Sequence, residues 1–303
     1  MIYTVTLNPA LDKTFRSPDF ASGSVNKVTL LRQDPGGKGI NVSKLLNKLG
    51  VESCACCLLG GRAGSEVNAM LGSFGMDYIA EPISGTTRTN IKISDSKGVT
   101  TEINEVGPGF DSIGYNGLKD KLFEKVTEGD IVVLSGSLPV GAPDSIYADL
   151  IRELKAKGCK VMLDSYGKPL ELALEESPFF VKPNNEELGI SDNIEECIAK
   201  ARELASTCVE EVIISLGSKG AVYCDKDACY VGYPADITPV CTTGCGDSMV
   251  AGMCYAKQNG LTGRDAFEFA CACSEAAALT DGTDAPDEAA VRSFIGKLRI
   301  EKV

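Results

Sequence analysis

Residues 130–167 read DIVVLSGSLPVGAPDSIYADLIRELKAKGCKVMLDSYG. Within them IVVL (131–134) and VML (161–163) are apolar runs of strand length, and SIYADLIRELKAKG (145–158) repeats its apolar positions at helical spacing. Strands apolar on both faces that alternate with amphipathic helices form a parallel sheet. The pattern continues through FFV (179–181), the helical NIEECIAKARELAS (193–206) and VII (212–214). Each strand run ends in a small polar or glycine cluster: Ser135-Gly136-Ser137, Asp164-Ser165, Lys182-Pro183-Asn184 and Ser215-Leu216-Gly217. A parallel sheet brings such clusters to the carboxyl edge of its strands, where α/β folds hold ligands. One cluster alone is an ordinary turn. Four of them, carrying an Asp, an Asn and a Lys, stand evenly between turn chemistry and a site.

The N-terminal third reads differently. YTVTLN (3–8) alternates like a first strand, whereas VNKVTLLRQ (25–33), TRTNIKISD (87–95) and VTTEINEVG (99–107) read as strands half exposed to water. With the turn Asp95-Ser96-Lys97-Gly98 they predict a small antiparallel sheet. Built from two insertions, approximately 11–34 and 84–108, it would form a lid and a dimer face on a single domain spanning residues 1–303.

Composition narrows the chemistry. The 303 residues are 44% hydrophobic and 24% charged, as in a folded soluble protein, and contain no His and no Trp. Without His there is no Ser-His-Asp or Cys-His machinery and no HExxH metal site, so acid–base work falls to Asp, Glu, Lys, Cys or Tyr. Thirty Lys and Arg against 42 Asp and Glu give a net charge of −12, which disfavours nucleic acid and anionic membrane as partners. The opening MIYTVTLNPALD has no secretory pattern, and no apolar run approaches the roughly 20 residues of a membrane helix; the expectation is cytoplasmic. The 13 cysteines lie mostly in apolar stretches such as VESCACCLLG (51–60) and are read as reduced thiols serving as small hydrophobes.

Three constellations could carry chemistry. Pro35-Gly36-Gly37-Lys38-Gly39 runs into the helical INVSKLLNKLG, and a glycine loop at a helix start offers amide N–H groups and the positive dipole end to an anion. It is not a Walker A loop, because Gly39 follows the lysine. Thr242-Thr243-Gly244-Cys245-Gly246-Asp247 enters a second helix; its glycines allow close backbone approach, and the carboxylate is placed to take a proton beside an anion site. Lys27, Arg88 and Lys92 are cations in the lid segments, the last two on one strand face. In a chain of net charge −12, a phosphate ligand needs some such cluster.

In this order the pieces resemble the ribokinase-like sugar kinases of the PfkB family, in their branch of 1-phosphofructokinases and tagatose-6-phosphate kinases. The resemblance runs nearly end to end through TLNPALD (6–12), GGKGINVSKLLNKLG (36–50), TRTNIKI (87–93), TEINEVGPG (101–109), SGSLPVG (135–141), KPNNEEL (182–188), SLGSKGA (215–221) and TGCGDSMVAG (243–252). It implies a ribokinase-like α/β fold, a mostly parallel central sheet flanked by helices with a small β-sheet lid. It implies ATP-dependent phosphorylation of a ketohexose monophosphate, with D-fructose 1-phosphate preferred over D-tagatose 6-phosphate, and no nucleic acid or membrane partner.

By the same resemblance Asp247 is the catalytic base and the amides of Gly244, Cys245 and Gly246 form the anion hole. Asn184 and Glu187 would organise Mg2+ through water, and Ser215, Gly217 and Gly220 would line the ATP site. Asp12, Gly37, Gly39 and Asn41 would hold sugar hydroxyls, while Lys38, Arg88 and Lys92, with Lys27, would hold the phosphate already on the sugar. A homodimer joined through the lid is also implied. Two positions depart from the family pattern: Cys245 stands where Ala is usual, and Tyr166 replaces a small residue in Asp164-Ser165-Tyr166-Gly167. A non-catalytic sensor on the same fold is opposed by the presence of Asp247, Asn184, Glu187 and Lys38. A nicotinamide-dependent oxidoreductase is opposed by the lack of GxGxxG after the first strand.

Overall fold

The computed structural model describes residues 1–96 and 99–303, so the Lys97-Gly98 step of the expected turn lies outside the described residues. The first part of the chain forms β1 (Ile2–Thr6), β2 (Ala10–Arg16), β3 (Thr29–Gly36), α1 (Lys38–Lys48), β4 (Ser53–Leu59), α2 (Gly61–Ser73), β5 (Asp77–Pro82), β6 (Arg88–Ser94), β7 (Thr100–Asn104) and α3 (Ser112–Lys125). The regular alternation follows: β8 (Ile131–Ser135), α4 (Ile146–Ala156), β9 (Lys160–Asp164), α5 (Gly167–Glu175), β10 (Phe180–Val181), α6 (Ile194–Thr207) and β11 (Glu211–Ser215). The chain closes with β12 (Ala221–Asp225), β13 (Cys229–Gly232), α7 (Cys245–Gln258), α8 (Gly263–Ala278), α9 (Glu288–Arg292) and β14 (Ile300–Lys302).

The large sheet has ten strands in the order β14-β13-β12-β11-β10-β9-β8-β1-β4-β5. It is parallel from β11 to β5, and β12 to β14 add an antiparallel edge. The apolar runs are explained by burial on both faces. Val5, Val132, Leu134, Val161 and Leu163 pack with α3 to α6 on one side; Ile2, Ile131, Val133, Met162 and Ile213 pack with α1, α7 and α8 on the other. β1 lies between β4 and β8, so the strand order reverses there. A crevice opens outside the carboxyl ends of the strands at such a reversal.

The second sheet has the order β3-β2-β6-β7. It departs from the antiparallel reading at its centre, where β2 and β6 run parallel, Asp12 opposite Asn90, with the β3 to β5 segment as the crossover. β2 was not anticipated as a strand, and β3 starts at Thr29, leaving residues 25–28 outside it. The reduced-thiol reading also needs one correction. Cys224 and Cys229 face each other across the β12–β13 pair, with Cα atoms 4.2 Å apart, and form a disulfide. Periodicity shows where a cysteine is buried and not which thiol it meets across a hairpin. Most of the others are free and buried, as expected of small hydrophobes. Among the described residues no helix is long and apolar enough to cross a membrane.

Candidate active site

The four polar clusters and both glycine loops converge on the carboxyl edge of the large sheet. Each strand must end where its helix layer begins, and the register fixes which ends are neighbours. Ser135 of β8 pairs with Asp164 of β9, and Ser215 at the end of β11 bridges to Asn184. Asp164 is fully buried between two lysines: Lys38 Nζ lies 2.9 Å and Lys182 Nζ 3.6 Å from its Oδ1, and its Oδ2 has no hydrogen-bond partner among the described residues. Burial alone would raise the Asp164 carboxyl, but Lys182 and Lys38 hold it below its ordinary value. Burial likewise works to lower Lys38, yet Asp164, Asp247 and Glu187 keep it above its usual range.

Asp247 enters from the first turn of α7. Its N-cap, Gly244, has φ of 86°, a left-handed conformation that a side chain strains, and no side chain caps the helix start. The loop amides therefore remain available to an anion. Asp247 is buried, and Asn41 Nδ2 donates to its Oδ2 at 2.8 Å. Burial, with the charge of Asp164 added, pushes its carboxyl up to about 6, against the opposing pull of Lys38 and Asn41. A carboxylate in this range is suited to general-base work near neutral pH. Lys182 is 4% exposed and aims at the same loop, its Nζ within 3.2 Å of where a Cβ on Gly246 would stand. Cys245 keeps its proton, because burial pushes its thiol up to about 12.

Asn41 is itself held. Lys44, buried in α1, donates through Nζ to Asn41 Oδ1 and to Thr283 Oγ1, both at 3.2 Å. That contact fixes the amide so that its NH2 group faces Asp247. Glu187 and Asn184 bond reciprocally, Asn184 N donating to Glu187 Oε2 at 2.8 Å and Glu187 N to Asn184 Oδ1 at 2.7 Å. The second Glu187 oxygen faces Lys38 Nζ at 3.8 Å. Lys38 thus sits among the acids of this centre.

The small sheet supplies the opposite wall. Asp12 is buried, accepts from Asn90 Nδ2 at 2.9 Å and has Lys92 Nζ at 3.8 Å. A Cβ on Gly36 would stand 2.5 Å from Asp12 Oδ1, so this glycine makes room for the carboxylate. Arg88 donates to the main-chain oxygens of Asn8 and Glu105, and burial lowers its pKa against the pull of Asp12 and Tyr166. Tyr166 is therefore within electrostatic reach of Arg88. Lys27 is exposed on the loop before β3; Ser17 bonds its carbonyl oxygen, and no contact among the described residues ties its side chain to Arg88 or Lys92.

Two cavities flank the loop at 242–246. One of about 580 Å³ is lined by Ser215, Gly217, Gly220, Cys245, Gly246 and Glu275. The other, about 680 Å³, lies between that loop and the small sheet, with Thr14, Arg16 and Lys92 on the sheet's side.

Comparison with known proteins decides the class. A model of the pfkB family carbohydrate kinases matches residues 5–290. The chain belongs to that family. It is 34% identical over 286 residues to a 1-phosphofructokinase of Bacillus subtilis, covering 93% of each chain. It is 34% identical to a tagatose-6-phosphate kinase of Staphylococcus epidermidis over 84% of each. Phosphofructokinase-2 from Escherichia coli, solved with substrates and products, superposes with a TM-score of 0.91 at 27% identity, covering 97% of each chain. The protein is therefore a carbohydrate kinase, a phosphotransferase of ribokinase-like α/β fold.

For this kinase, sequence reasoning missed several residues of the site. Asp164 and Lys182 were seen as turn residues, but their pairing needs β9 and β10 side by side. Lys44 reads as a polar position on a helix, and Glu275 as an ordinary member of α8. Asn8 and Ser137, joined by Asn8 Nδ2 to Ser137 Oγ at 3.1 Å, were inside quoted motifs without an assigned role.

Proposed function

We propose that this kinase transfers the γ-phosphoryl group of ATP to a ketohexose monophosphate, converting D-fructose 1-phosphate to D-fructose 1,6-bisphosphate, with Asp247 as catalytic base. The observation that carries the assignment is Asp247 itself: buried at an uncapped glycine-lined helix start, with its carboxyl near 6 and its Oδ2 aimed by Asn41. Relatives named 1-phosphofructokinase and tagatose-6-phosphate kinase support a phosphorylated ketohexose acceptor.

Phosphoryl transfer asks a protein mainly for positioning and charge stabilisation. Asp247 takes the proton of the attacking hydroxyl as its oxygen forms a bond to the γ-phosphorus and the bond to the ADP oxygen breaks. The amides of Gly244, Cys245 and Gly246 stabilise the charge on the moving phosphoryl group. Lys38 and Lys182, spaced by Asp164, supply positive charge on the sheet side. Asp12, Gly37, Gly39 and Asn41 bind sugar hydroxyls, and Arg88 and Lys92 hold the phosphate on the sugar, with Lys27 able to join them if its loop closes. Ser215, Gly217, Gly220 and Asn184 line the nucleotide side.

The donor set also fits Mg2+. Glu187 offers a fixed hard-oxygen carboxylate, and Mg2+ is usually held by one or two carboxylates together with water and phosphates. When bound, the ion neutralises phosphate charge. Dependence on ATP supports a cytoplasmic location. Val28, Leu30, Ile103 and Val106 expose apolar surface on or beside the lid, which supports a homodimer through that sheet.

An assay coupled to ADP release, run over ketose 1-phosphates and 6-phosphates, tests the assignment. Turnover is expected to be highest with fructose 1-phosphate. Preference for tagatose 6-phosphate would move the protein to the other branch, and no ADP release with any sugar phosphate would overturn the reading.

A further inference from the structure

The cavity lined by Ser215, Gly217 and Gly220 contains a charge that phosphoryl transfer does not explain. Pro234, Ala235, Ile237, Pro239, Met249 and Ala278 give it apolar walls, yet α8 presents Glu275 to it. Glu275 is half-buried, and that burial raises its carboxyl above the ordinary glutamate range. The main-chain N–H of Ala235 is the one partner it has among the described residues. Glu211, by contrast, is a buried acid bonded by a cation, Lys257. A carboxylate turned into an apolar cavity without a cation keeps acceptor capacity that donors on a ligand can satisfy.

A nucleoside triphosphate offers two kinds of surface to such a group. Its phosphates are anionic and repel a carboxylate, so Glu275 does not serve that end. Its base carries N–H donors that a carboxylate accepts well. We propose that Glu275 is a specificity residue of the nucleotide site, its carboxylate accepting the exocyclic amine of a purine base. This rests on reading the cavity as the nucleotide site. Adenine and guanine both carry such an amine, at different ring positions, and a site built to bond it rejects analogues that lack it.

Calorimetric titration with Mg2+ and four nucleotides, without sugar, tests the proposal. ATP is compared with purine riboside triphosphate, which lacks the 6-amino group, and GTP with ITP, which lacks the 2-amino group. In the unaltered protein, loss of the amine is expected to weaken binding about tenfold for the preferred pair. Glu275→Ala is expected to shrink that ratio by threefold or more; a smaller change overturns the proposal. Should Glu275→Ala fail to fold, Glu275→Gln carries the same criterion, because a neutral acceptor bonds the amine more weakly. The pair that shows the effect identifies the base. A parallel turnover assay separates the two readings. Amine discrimination without turnover on any sugar phosphate would sink the kinase substrate and leave Glu275 in place, and turnover without discrimination would do the reverse.

Discussion

Among the helix starts of this molecule that carry an aspartate, two use it in opposite ways. Asp111 precedes α3, is half-buried, and accepts the N–H groups of Ser84, Gly114 and Ile113, which pull its carboxyl down to about 2. That is a cap, satisfying donors the helix cannot use itself. Asp247 occupies the first turn of α7, is buried, and stands near 6. The dipole at a helix start favours a carboxylate, so the raised value means that burial and Asp164 outweigh the local preference. α1 breaks the rule in the other sense: its first residue is a lysine, placed against the dipole and held by Asp164 and Glu187. Departures from local preference of this kind collect at functional sites.

The comparison can be broken at its most sensitive point. Asp247→Asn is expected to lower kcat by about 10³-fold, within the usual range for a general base, while nucleotide affinity measured by titration changes little. Retained turnover would make Asp247 one more cap. Asp164→Asn comes next, with a loss of about 10² in kcat, comparable to removing one preorganised group. It also sharpens the electrostatic claim. Because Asp247 must be ionised to accept a proton, kcat/KM falls as pH drops through about 6. Removing the charge of Asp164 removes a repulsion, so this acid limb moves to lower pH. A limb that stays in place would show that Asp164 does not set the base.

Lys44→Met tests the support behind the base. With the Asn41 amide no longer held, kcat is expected to fall about tenfold, with KM for ATP unchanged and the acid limb displaced upward, as Asn41 turns its oxygen toward Asp247. A general loss of stability with an unmoved pH profile would make Lys44 merely structural. The smallest effect belongs to Asp111→Ala, which should leave turnover intact and lower Tm near neutral pH. Its depressed carboxyl contributes stability that is present above the unfolded value and lost as pH falls toward 2. The Tm gap between the two proteins should therefore close in acid.

Much of this was legible from the chain, and the limits follow from distance along it. The runs at 131–134 and 161–163 announced buried parallel strands because both their faces need apolar partners. Asp247 was legible because a carboxylate and glycines share one short loop. Lys182 and Asp164 were not, since 18 residues and a helix separate them and they meet only through neighbouring strands. β2 escaped notice because ALDKTFR turns from buried to exposed along its length, without clean alternation. Lys44 and Glu275 are ordinary residues on ordinary helices until the fold shows what they face.

The sequence by itself determined the layered α/β class, the glycine-lined helix starts and the residues able to act on a phosphate, since each is written in short-range pattern and residue chemistry. Only the tertiary structure decided which charges stand together: Lys38 with Asp164, Asn41 with Asp247, Glu275 with an apolar cavity. Coulomb forces and desolvation depend on separations in space, and those are set by how strands from remote parts of the chain are ordered in the sheet.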